Sequence, residues 1–95
     1  MDKTYKLLQE IRKRPEIYIG KASLERLYAF LNGYKHHELP SPPDCLDGFQ
    51  NYVEGIYDIH TDHNWASIIQ FFSSTEEEAF NEFYKLFDNY MKNRS

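Results

Sequence analysis

Thr75-Glu76-Glu77-Glu78-Ala79-Phe80-Asn81-Glu82-Phe83-Tyr84-Lys85-Leu86-Phe87-Asp88-Asn89-Tyr90-Met91 is the stretch that decides the fold class. Its apolar residues Phe80, Phe83, Tyr84, Phe87 and Met91 recur at spacings of 3, 1, 3 and 4, the period of a helix with one buried face. Ser74 and Thr75 each precede a glutamate by three residues, a pattern that satisfies the free N–H groups of a first helical turn. The three glutamates Glu76, Glu77 and Glu78 then sit where the helix dipole favours anions.

The same period runs backwards through the chain. Trp65, Ile68, Ile69 and Phe72 predict a shorter helix before it. Leu46, Phe49, Val53 and Ile56 predict a helix over about 42–57, starting from Ser41-Pro42-Pro43-Asp44: a serine cap, proline at the first helical position and an acid three residues after the cap. Leu24, Leu27, Tyr28, Leu31 and Tyr34 follow the N-cap candidate Ser23. Leu7, Leu8 and Ile11 mark a first helix over about 3–13, which ends where Pro15 forces Arg14 out of helical geometry. Ile17-Tyr18-Ile19-Gly20 is too short for a strand pair and is expected to lie extended across the core. No run alternates with period two for more than a few residues. The expectation is an all-α, compact single domain of about five helices over 1–95.

Composition agrees. Of the 95 residues, 41% are hydrophobic and 17% aromatic, enough for one core and too much for a disordered acidic tail. No stretch is long and apolar enough to span a membrane, and no basic-then-apolar segment opens the chain. Cys45 is the single cysteine, which excludes an internal disulfide and suits a reducing compartment, so a cytoplasmic protein is expected.

Charge is sorted along the chain. Between His36 and Tyr84 there is no lysine or arginine, yet there are ten carboxylates. Residues 1–35 instead carry eight Lys/Arg against four Asp/Glu, and residues 85–95 carry three against one. Blocks of this kind leave a local field that a mixed surface would cancel, and its complement is a basic surface. On a wheel of the predicted 42–57 helix, Asp44, Asp47, Asn51, Glu54 and Asp58 fall within an arc of about 80°, opposite Phe49 and Val53. Like charges at such spacing repel by a few tenths of a kcal/mol per pair. No cation within the predicted helix relieves them. These residues, with Asp62 beyond the helix end, are the candidate contacts for a basic partner.

Other chemistries find less to build on. His60 and His63 lie beside Asp58 and Asp62, and His36 and His37 are adjacent, but no spacing matches a structural zinc site. Acids at 44 and 47 would disfavour a Cys45 thiolate. Glycines stand apart at 20, 33, 48 and 55, so there is no phosphate-cradling loop. The reading is therefore a protein that is not an enzyme, with no cofactor, no metal and no catalytic residue. The acidic total also argues against direct nucleic-acid binding through Arg12-Lys13-Arg14.

Arg12-Lys13-Arg14-Pro15-Glu16-Ile17-Tyr18-Ile19-Gly20 resembles a segment of the ATPase domain of DNA gyrase. That likeness stops within about twenty residues, with no magnesium–nucleotide residues in the next helix. A longer one takes in Arg14-Pro15 with Ile17-Tyr18-Ile19-Gly20 and continues through Ser23-Leu24, Leu27, Phe30-Leu31 and Gly33-Tyr34, then Asn64-Trp65-Ala66-Ser67-Ile68-Ile69 and the glutamate-rich last helix. This order, over roughly residues 7–90, resembles small bacterial immunity proteins of contact-dependent inhibition and related polymorphic toxin systems. The resemblance implies a non-enzymatic inhibitor of a cognate toxin C-terminal domain, often a nuclease, and carries over no contact residue. A nuclease gathers Lys and Arg around its cleft, so an acidic surface is what its inhibitor would present. An acidic adaptor or nucleic-acid mimic acting on a host nucleic-acid-binding protein is the alternative with the same electrostatics.

Overall fold

Asp2, a residue without part in the helical periodicity, starts the first helix: its carboxylate accepts from the N–H groups of Thr4 and Tyr5 at 2.8 and 3.1 Å. The structure is a computed structural model and describes residues 2–35 and 44–94. Among these described residues six helices follow in order: α1 (Lys3–Lys13), α2 (Pro15–Tyr18), α3 (Leu24–Lys35), α4 (Phe49–Tyr57), α5 (Trp65–Phe71) and α6 (Glu76–Arg94). Among the described residues there is no strand, and the protein is an all-α globule with a radius of gyration of 12.9 Å. No helix among the described residues is long and apolar enough to cross a membrane.

The core is built around aromatic rings from α4, α5 and α6. Phe49, Phe83 and Phe87 are fully buried, with Leu8 and Ile11 of α1 and Leu24, Leu27 and Leu31 of α3 closing over them. Phe49 meets Trp65, Phe83 and Phe87 edge-on at 5.1, 5.6 and 6.2 Å, the arrangement ring quadrupoles prefer. The N- and C-terminal helices are locked twice: Tyr84 donates its hydroxyl to the Leu8 carbonyl at 2.6 Å, and Arg12 forms a two-pronged bond to Asp88 at 3.0 and 2.9 Å while lying over the Tyr84 ring. Both Arg12 and Asp88 are substantially exposed, so that ion pair orients α1 on α6 more than it stabilises. Ser23 and Thr75 act as the caps expected of them, accepting from the N–H groups of Arg26 and Glu78 at 3.3 and 3.0 Å.

Two expectations are corrected. Residues 15–18 form a helical turn instead of an extended segment, because the proline ring that stops α1 also presets the helical φ of a new first turn. Ile17 and Tyr18 therefore point outwards, and Ile19 is the residue that reaches the core. The helix expected from 42 begins only at Phe49. Ser41-Pro42-Pro43 lies outside the described residues. Residues 45–48 make turns, and Gly48 adopts φ +86°, a left-handed conformation that no helix can run through. Tyr90 of α6 packs against this corner, where its hydroxyl donates to the Asp47 carbonyl. A Cβ on Gly48 would stand 2.8 Å from that hydroxyl.

Candidate functional site

The break at Gly48 takes apart the acidic stripe. Only Asn51 and Glu54 lie within α4; Asp44 and Asp47 belong to the turn before it, Asp58 is its C-cap in the left-handed region, and Asp62 lies in the α4–α5 connection.

The six candidates also do different work. Asp44 ties three elements together: its carboxylate pairs with Lys35 at the end of α3 at 2.7 Å, accepts from Thr4 of α1 at 3.2 Å, and caps the Leu46 N–H at 2.9 Å. With its side chain 12% exposed, it is engaged in holding the fold. Glu54, 16% exposed, accepts from Gln50 at 2.7 Å, with His60 at 3.5 Å. Gln50 in turn donates to the His63 carbonyl at 3.0 Å, fixing the α4–α5 connection to α4. Asp47 accepts from the Asp44 N–H at 3.1 Å yet remains exposed. Asn51, Asp58 and Asp62 are exposed, and none of the described ion pairs engages Asp47, Asp58 or Asp62. The structure thus keeps an exposed acidic set of Asp47, Asp58 and Asp62 and withdraws Asp44 and Glu54 into the scaffold.

The glutamates opening α6 add to the exposed set. Glu76 pairs with Lys21 at 2.7 Å, and that hydrogen bond holds its carboxyl below the usual range. Glu77 and Glu78 line a shallow depression along α6 with Thr75, Asn81, Glu82 and Lys85. Burial, and then the nearby Glu82 carboxylate, raise the Tyr57 phenol above its ordinary value.

Sequence periodicity assigns Ile56 and Phe72 to the core, and the structure places both outside it. Ile56 is 51% exposed and Phe72 48% exposed, while Phe71, next to it, is 81% exposed. Phe72 stacks on Tyr57 with ring centroids 4.6 Å apart and planes within 4°, and Phe71 meets Phe72 edge-on at 5.1 Å. The two helices end too early for their last apolar residues to be covered. In the sequence, Phe71 itself is the signal: it stands four residues after the exposed Ser67, on the solvated side of α5.

Cys45 is buried and its thiol is pushed up to about 12, chiefly by burial and then by the charges of Asp2 and Asp44. That is the environment of an inert structural cysteine. His60 is fully exposed, and among the described residues no three of His, Cys, Asp and Glu gather closely enough to hold a metal ion. His36 and His37 lie outside the described residues.

No family model matches the chain, and neither the curated proteins nor the solved structures contain a match.

Proposed function

We propose that this protein is an immunity protein that binds and neutralises a cognate antibacterial toxin domain, a nuclease, in the cytoplasm of the producing cell. The observation that carries the reading is the charge segregation: ten carboxylates and no lysine or arginine from His36 to Tyr84. Asp47, Asp58 and Asp62 of that block are exposed and outside every described ion pair. A surface of one sign attracts a basic cleft over a Debye length of about 8–10 Å and speeds encounter. A nuclease that grips a polyanionic backbone with Lys and Arg supplies such a cleft. Binding is stoichiometric, without catalysis, and requires no cofactor. The order of motifs, which resembles that of immunity proteins of contact-dependent inhibition, supports the same reading.

The experiment is a protection assay. The toxin C-terminal domain encoded beside this gene is induced in cells with or without the protein. Growth restored by wild type, and weakened by Asp62→Lys combined with Asp58→Asn, is the expected result. Asparagine at 58 retains the left-handed cap that lysine would strain. Failure of the wild type both to protect and to bind that domain would overturn the proposal. Retrieval of a host nucleic-acid-binding protein that competes with nucleic acid for the same acidic face would favour the adaptor reading instead.

A further inference from the structure

Resting on the reading above, we infer that the partner is anchored on the aromatic patch where α4 and α5 end, centred on Phe71, with the carboxylates around it serving as a rim. Single exposed apolar residues are ordinary on protein surfaces. Here two consecutive phenylalanines, Phe71 and Phe72, are exposed by 81% and 48%, with Phe72 stacked on Tyr57, and Ile56, the residue before Tyr57, is exposed by 51%. Phe71 belongs to the outward face of α5 by its register, so a polar residue there would cost the fold nothing. Large rigid aromatics at the centre of a patch are the residues that dominate binding energy when water is excluded around them.

Charge selects the occupant. Asp58 follows Tyr57 directly, and Glu82 lies close enough to act on the Tyr57 phenol. Glu78 stands one helical turn before Glu82, and among the described residues Lys85 is the only cation lining the α6 depression that holds both. An anionic lipid surface would be repelled by this rim. A second copy docked patch to patch would set its own carboxylates against these. The complement is a protein surface with an apolar recess flanked by Lys and Arg, in which the recess takes Phe71 and the cations meet Asp58, Glu78 and Glu82. The long-range field then brings the partner in, and the aromatic patch sets how slowly it leaves.

The test has two arms on the full chain. In the first, a synthetic amphipathic helix of leucine and lysine is titrated into isotope-labelled protein and amide shifts are followed. The expected result is perturbation confined to 56–58, 71–72, Glu78 and Glu82, with at least tenfold weaker binding to Phe71→Ser and to a peptide carrying glutamate in place of lysine. The urea midpoint of Phe71→Ser should match wild type, since that ring is mostly in solvent. Perturbation elsewhere, no binding, or unchanged affinity for Phe71→Ser overturns the inference. So does concentration-dependent dimerisation of wild type in sedimentation that Phe71→Ser abolishes, because the patch would then serve a second copy. In the second arm the neighbouring toxin domain replaces the peptide. If wild type binds it and Phe71→Ser binds equally well, the patch is not the anchor, although the immunity function stands. If wild type ignores it while the peptide arm succeeds, the docking surface stands and the immunity reading falls.

Discussion

Truncating Phe49 to alanine should bring the protein close to unfolding, whereas the same truncation at Phe71 should leave it almost untouched. Phe49 has no exposed surface. Its ring meets those of Tyr52, Trp65, Phe83, Phe87 and Tyr90 at centroid distances between 5.1 and 6.2 Å. Phenylalanine-to-alanine changes in cores cost about 3–5 kcal/mol, more when the cavity cannot collapse. The space left by Phe49 is walled by α5 and α6 as well as α4, so no single helix can close it. Ring pairs contribute roughly 0.5–1.5 kcal/mol each beyond area, without being additive, which puts the expected loss near the top of the range, about 4–5 kcal/mol. At roughly 4–8 °C per kcal/mol for a domain of this size, the melting temperature should fall by about 16–40 °C. Since small domains hold only about 5–15 kcal/mol in total, Phe49→Leu provides a milder variant, expected to lose about 1–2 kcal/mol. Urea titration followed by fluorescence of Trp65, the single tryptophan and an edge-on neighbour of Phe49 at 5.1 Å, reads the loss directly. Phe71→Ala should change stability by under about 0.5 kcal/mol. A loss below about 1 kcal/mol at Phe49, or equal losses at both positions, would refute the placement of the core.

Four further outcomes test the scaffold. Tyr84→Phe removes the buried bond to the Leu8 carbonyl and should cost about 0.5–1.5 kcal/mol. Burial holds the folded Tyr84 phenol above its ordinary value, so the native state keeps a proton that the unfolded chain gives up near pH 10. Stability should therefore fall as pH rises beyond about 10, and less steeply in Tyr84→Phe, as alkaline urea titrations would show. Gly48→Ala should destabilise by more than about 1 kcal/mol, because φ is positive and the new methyl meets the Tyr90 hydroxyl. Gly55→Ala, in the interior of α4 with open space around it, should stabilise by about 0.5–1 kcal/mol; thermal melts of the pair would show shifts of opposite sign.

Where one signal speaks alone, the chain is readable. The apolar spacing of α6 and the hydroxyl three residues before Glu78 locate that helix, and Leu7, Leu8 and Ile11 locate α1. Where two signals compete, the louder one misleads. Through 42–57 the helical spacing of acids and apolar residues runs across Asp47-Gly48, a dipeptide that marks turns, and the turn prevails because Gly48 takes the left-handed conformation beside Tyr90. The proline at 15 carries both a stop and a start, and the stop masks the start. Ile56 and Phe72 keep the helical period but lose their cover at the helix ends, a property of tertiary packing that no local pattern encodes. For the candidate site, residue type and charge are legible, while engagement is not. The Gln50–Glu54 contact follows from their spacing of four on one helix, but nothing in the chain order says that Asp44 meets Lys35 and Thr4 while Asp58 and Asp62 remain exposed.

The most direct test of the central claim is the association rate of the purified protein with the neighbouring toxin domain, measured by stopped flow across a range of salt concentrations. An acidic inhibitor meeting a basic nuclease cleft should associate rapidly at low salt, slow steeply as salt rises, and abolish nuclease activity at one equivalent. In Asp62→Lys with Asp58→Asn the salt dependence should flatten while the urea midpoint stays within error of wild type. A rate indifferent to salt, or unchanged in that variant, would contradict an acidic surface that recruits the toxin.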